Sequence, residues 1–151
     1  MAQVLERLDN AEALSALYKN VRMAADSISS ILGHVENEQM MSDLTVELSC
    51  FEEYASRAAK ELEEEGVAPK EETPLARAGA KVGTFFNTLV DSSPDHLAEM
   101  MIKGATMGIN DLCRQIHAAK EGDVSPRVLA LLEEVLEYEE SVVEEMKAYL
   151  R

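Results

Sequence analysis

Positive charge is scarce in this chain, and so are cysteine, alternating sequence and long apolar runs. Fourteen Lys and Arg stand against 29 Asp and Glu, for a formal net charge of −15. Recognition of nucleic acid needs a concentrated basic face to neutralise phosphates, so this balance argues against it and disfavours anionic membranes. Acidity suits solubility, cationic partners or metal ions, although acidic helix faces are most often simply solvated. Cys50 and Cys113 have no second thiol near them in sequence, so there is neither a disulfide framework nor a C-x-x-C redox or zinc motif. A reduced, cytoplasmic setting fits that usage. Met1 to Asn10 mixes charged and apolar residues without the uninterrupted run of a signal peptide. No stretch reaches the roughly 20 apolar residues of a membrane helix. No segment alternates at period two, which argues against a sheet, and neither a nucleophile with its base nor a glycine-rich phosphate loop is discernible.

What is present is helix periodicity and helix punctuation. The 151 residues are 46% hydrophobic, enough for one domain with a single core spanning residues 1–151. Asp9 followed by Glu12 resembles a capping box. Leu14, Leu17, Val21, Ala24, Ile28, Ile31 and Val35 then recur at threes and fours, predicting a first helix that ends near Gly33. Met40, Leu44, Leu48, Phe51, Ala55, Ala58 and Leu62 define a second, closed by Gly66 as a left-handed C-cap. The short connection makes these two antiparallel neighbours. Thr73-Pro74, Ser93-Pro94 and Ser125-Pro126 each pair a hydroxyl N-cap with proline at the first helical position. They predict helices over Pro74 to Val90, Pro94 to Lys120 and Pro126 to Leu150, with Gly122 ending the middle one.

Four of these helices would be about 36 to 45 Å long at 1.5 Å per residue, a matched set for one bundle. The shorter Pro74–Val90 segment then serves as a crossover. Running back along the bundle, it makes helix two parallel to the helix from Pro94, fourth in chain order, while the remaining neighbours stay antiparallel. Its apolar face of Leu75, Val82, Phe85, Phe86, Leu89 and Val90 is needed for docking on the bundle, and Arg77 and Lys81 alone give little attraction to lipid. The expected fold class is therefore all-α, a four-helix bundle with an additional crossover helix between helices two and three.

Through its helix lengths, the Val35-Glu36-Asn37-Glu38 turn, the glycine-containing crossover and the Pro94-Asp95-His96-Leu97 restart, the chain resembles the ferritin-like superfamily over roughly Ala13 to Leu150. The likeness is to its small bacterial families of unknown function. Members that handle iron carry an inward Glu on two helices and Glu-x-x-His on the other two. This sequence departs from that pattern on every helix. Ala13 to Val35 contains no glutamate, and its one carboxylate, Asp26, is expected opposite the apolar stripe. The nearest matches elsewhere are Glu47-x-x-Cys50 and Glu139-x-x-Val142. His34, His96 and His117 lie near helix ends and are expected to face solvent.

Glu139 is the outstanding residue. It interrupts the apolar stripe of Val128, Leu132, Val135, Val142, Met146 and Tyr149, where a charge costs free energy unless it is paired, protonated or metal-bound. Counting from the turn at Gly122 sets it opposite Gly108, with Asp111 within a turn, and Glu47 lies about midway along helix two. A metal reading joins Glu47, Asp111 and Glu139 in one carboxylate site for iron or another divalent metal. The preferred reading has Glu139 paired with Arg22 or Arg114, or bonded to Tyr18 or Tyr54, while Glu47 and Asp111 reach solvent. Gly104-x-x-x-Gly108 marks a close helix approach, to the crossover or to a second copy. Met40, Met41, Met100, Met101 and Met107 are expected to fill gaps in the core, and the acidic runs Glu61–Glu65 and Glu133–Glu145 to be solvated. The resemblance, with the iron ligands missing, implies a non-enzymatic structural, stress-associated or protein-interaction module that needs no cofactor. A homodimer or another protein is the expected partner. The alternative it implies is a metal-binding protein for iron handling or oxidation.

Overall fold

The computed structural model describes residues 9–69 and 91–151. These form four helices: α1 (Asn10–Leu32), α2 (Glu38–Glu64), α3 (Pro94–Glu121) and α4 (Pro126–Lys147). Among the described residues there is no strand, only an isolated bridge between Asp9 and Asp123. The helix expected at Pro74 to Val90 lies outside them.

Each helix starts where the sequence offers a cap for its orphan N–H groups. Glu12 N–H donates to the Asp9 carboxylate at 2.8 Å, and Asp9 N–H returns a bond to Glu12 Oε1, completing the capping box. Asn37 accepts from Met40 N–H at 2.9 Å. Ser93 and Ser125 accept from His96 and Val128 N–H, each with proline opening the helix behind it. Gly66 follows the end of α2 at φ +76°, and Val67 N–H reaches back to Leu62 O at 2.9 Å. That is the left-handed closure expected of this glycine.

Contacts at the helix ends fix the directions. At one end of the bundle the Asn10 amide donates to Glu65 and accepts from Ser125 N–H at 2.8 Å, joining the start of α1 to the end of α2 and the start of α4. At the other end Tyr149 OH donates to Asp43 at 2.6 Å and Arg151 N–H donates to Asp95 at 3.0 Å. α1 and α4 therefore run one way, α2 and α3 the other. α1 packs mainly on α2, α3 mainly on α4, and α1 also lies against α3. Phe51 and Tyr138 meet edge to face across α2 and α4, with ring centres 5.2 Å apart.

The core is the set of stripes legible in the sequence. Leu14, Leu17, Val21, Ile28 and Ile31 of α1 are buried with Leu44, Phe51 and Leu62 of α2, Leu97, Leu112 and Ile116 of α3, and Leu132, Val135 and Met146 of α4. Burying one such side chain stabilises by about 1.5–3 kcal/mol. Arg57 with Glu134, and Arg127 with Glu61 and Glu64, tie α2 to α4 at exposed positions, where such pairs contribute about 0–1 kcal/mol. The acidic run ending α2 is thus partly paired rather than wholly solvated. Met40, Met100 and Met101 fill core space as expected, but Met41 and Met107 are exposed. Asp26 corrects the expectation of an outward carboxylate, for it is 8% exposed and makes a polar or electrostatic contact of its own.

Replacing Leu132, which is wholly buried in α4, by Ala should cost about 2–5 kcal/mol through lost transfer energy and a residual cavity. Urea denaturation measures this, and a loss below about 1 kcal/mol would show that the stripe is not packed as described.

Candidate functional site

Of the three carboxylates that the sequence singles out, Glu47 stands apart, while Asp111 remains within electrostatic reach of Glu139. Glu139 is 3% exposed in the seam of α4 and faces α3 at its glycine. A Cβ built on Gly108 would lie 3.2 Å from Glu139 Oε1 and 3.7 Å from Asn20 Nδ2. The close approach marked by this glycine is therefore to a carboxyl of α4, and Gly104 of the same motif meets no described atom within 4 Å. Asn20 of α1 completes the pocket, donating from Nδ2 to Gly108 O at 3.1 Å while its buried Oδ1 has no hydrogen-bond partner.

Neither oxygen of Glu139 has a hydrogen-bond partner. This overturns the expected pairing. Arg114 goes to exposed Asp111 at 3.1 Å, Tyr54 donates to Glu134 at 3.0 Å, and neither Arg22 nor Tyr18 bonds the Glu139 carboxyl. Burial is the main cause that raises the Glu139 pKa to about 8, with the negative charge of Asp111 adding to it. The carboxyl is thus mostly protonated at neutral pH.

Glu47 corrects the sequence reading more sharply. Expected to reach solvent, it is 2% exposed, and both its oxygens lack a hydrogen-bond donor. Its neighbours are not Glu139 or Asp111 but Asp43 and Cys50 on α2 and Glu145 on α4. Burial, then the Glu145 carboxylate, then Asp43 raise its pKa to about 10. Asp111 does reach solvent as expected, and so do His34 and His117, while His96 is half-buried. Among the described residues, no three His, Cys, Asp or Glu side chains converge in a metal-holding group.

Further down, the seam between α2 and α4 holds a polar cluster that the sequence did not announce. Glu134 takes a bidentate bond from Arg57 and a bond from Tyr54, and Arg57 is the first cause that holds its carboxyl below the ordinary range. Burial, then Glu134, pushes the Tyr54 hydroxyl up to about 12. On the outer face of α3 and α4, a shallow groove of about 410 Å³ runs between Cys113, His117 and Lys120 on one side and Glu133, Glu137 and Glu140 on the other. None of the buried carboxyls opens into it. Among the described residues no helix is long and apolar enough to cross a membrane. The chain matches no protein-family model, no curated protein and no solved structure.

The two glycines give a paired prediction. Gly104→Ala, with open space at its Cβ, should stabilise by about 0.5–1 kcal/mol through helix propensity. Gly108→Ala should gain less or lose stability, because Glu139 has to shift, and the difference should vanish when Glu139 is Ala. Equal effects of the two substitutions in the parent protein would sink this account.

A second prediction follows from protonation. An ordinary glutamate titrates near 4.5, whereas folded Glu139 holds its proton to about 8 and Glu47 to about 10. Between those limits the folded chain binds protons that the unfolded chain has released. The contribution is complete below the unfolded pKa and is lost as pH rises through the folded value. Each such group contributes a slope of about 1.4 kcal/mol per pH unit. With chelator present, Glu139→Gln should flatten the fall in stability between pH 5 and 8 by on the order of 1 kcal/mol per unit. An unchanged slope in urea titrations would show that Glu139 is already ionised.

Proposed function

We propose that this chain is a ferritin-like bundle acting as a non-enzymatic structural, stress-associated or protein-interaction module, without an intact di-iron site. The observation that carries this reading is the company of Glu139. Where iron-handling members of that superfamily would present carboxylates from facing helices, α1 offers Asn20 and α3 offers Gly108. An amide and a bare backbone cannot supply the bridging charge that two irons need, and the interior histidines of the superfamily pattern are missing as well. The donor set does not fit the group. The shared direction of α2 and α3, with the end of one and the start of the other at opposite ends of the bundle, supports the ferritin-like assignment.

A metal-binding protein for iron handling or oxidation, using Glu47, Asp111 and Glu139, is the second reading. What favours it is that Glu47 and Glu139 are both buried without a hydrogen-bond donor, a state that a bound cation relieves. Aerobic addition of ferrous iron to the full chain separates the two. On the preferred reading iron oxidises no faster than in a Glu47→Gln, Glu139→Gln double variant, and no oxo-bridged iron absorption develops. Saturable oxidation of two irons per chain that the double variant loses would overturn it.

A further inference from the structure

Among the described residues, the contact between Glu47 and Glu145 sets one acid against another. Glu47 comes from the middle of α2 and is almost wholly buried, whereas Glu145 lies on the exposed margin of α4. The Tyr149 hydroxyl on Asp43, at 2.6 Å, sets antiparallel α2 and α4 in the register that brings Glu145 against Glu47, one turn further along each helix, yet neither oxygen of Glu47 receives an N–H or O–H from any described group. Two carboxylates cannot rest against each other bare. Like charges at that distance in a low-dielectric seam repel, so either the proton that Glu47 holds or a cation that displaces it has to lie between them.

The surroundings say what that is. Asp43, one turn from Glu47, adds a negative charge but is committed elsewhere, with Oδ1 accepting from Gln39 and Oδ2 from Tyr149 OH. Cys50, nearly one turn on the other side, lies beside the Tyr138 hydroxyl. No Lys or Arg pairs with either Glu47 or Glu145 among the described residues. The donors left are two carboxylates, one buried and one at the surface, in a field made more negative by Asp43. Magnesium-type ions are held in this way, through one or two carboxylates with water completing the shell, rather than by a closed cage of protein ligands. All-oxygen donors select hard cations over soft ones.

We propose that Glu47 and Glu145 clamp a hydrated divalent cation of the Mg²⁺ or Mn²⁺ class between α2 and α4, with Asp43 strengthening the field. The buried carboxylate fixes the ion and the exposed one gives it a way in. The site draws on two helices only, leaves out Glu139 and Asp111, and does not depend on the ferritin-like reading. A cation there cross-links the half of the α2–α4 seam that the Arg57 and Arg127 pairs do not reach.

The test uses the full chain stripped with chelator and titrated with Mn²⁺, followed by calorimetry and by electron paramagnetic resonance of the free ion. One saturable Mn²⁺ per chain is expected, with affinity rising with pH as the ion displaces the proton of Glu47. Glu47→Gln and Glu145→Gln should each weaken binding by at least about a hundredfold, while Glu139→Gln leaves it unchanged. Circular dichroism confirms that each variant is helical, and the exposed Glu145→Gln carries the test if Glu47→Gln does not fold. Absence of saturable Mn²⁺ means that the pair shares only a proton, which overturns the proposal. So does binding that survives both substitutions, or that is lost with Glu139→Gln instead. Iron oxidation reads out the proposed function separately, so either can fail without the other.

Discussion

The constraint on which the rest of the bundle depends is the burial of four apolar stripes against one another. Each helix is amphipathic, and none can bury its stripe except on its neighbours. Packing at this density leaves no latitude in register, because a shift of one residue turns a stripe by about 100°. The polar contacts sit at the ends and margins of the stripes and select the register that the packing already favours. Asn10 is the most economical of them, since one amide binds Glu65 and Ser125 and so reports the ends of three helices at once.

Against that background the two buried carboxyls are exceptions of different kinds. Glu139 sits where an apolar residue belongs, and the chain makes room for it by omitting the side chain of Gly108. A glycine in the middle of a 28-residue helix costs about 1 kcal/mol relative to alanine. Keeping an unbonded carboxyl buried costs more, about 1–3 kcal/mol. Neutralisation by a proton is the least expensive relief, and the raised pKa of Glu139 is its signature. The donor in the pocket, Asn20 Nδ2, is spent on Gly108 O, and Asn20 Oδ1 and both Glu139 oxygens are unbonded.

Much of this was legible in the sequence, for a physical reason. Capping residues, proline at the first helical position and the glycine after α2 act through bonds within a few residues, so Asp9, Ser93, Ser125 and Gly66 can be read locally. The placing of Glu139 opposite Gly108 was also legible, because two antiparallel helices joined by a short turn keep their register by counting. Glu47 was misread for the complementary reason. It lies at the margin of its stripe, where burial depends on what α4 presents across the seam, and Glu145 is 98 positions further along the chain. Nothing local announces that Glu145 will face it. Asp26 failed in the same way, since a position opposite one stripe is exposed only if no second surface covers it.

The difference between the two carboxyls bears on what the bundle was built to tolerate. A lone protonated glutamate such as Glu139 is satisfied by chemistry internal to it, and an isosteric glutamine would serve the packing as well. Glu47 is placed differently, because the group it meets across the seam is itself a carboxyl, at an exposed position of another helix. Had selection needed only a filled seam, an apolar residue at 47 or a lysine at 145 would have removed the repulsion at no cost to the fold. A chain already at −15 has little electrostatic reason to add another facing pair of acids. The same excess of negative charge draws cations toward its surface, and at the Glu47–Glu145 contact one carboxyl of the pair is already buried and held by its place in α2.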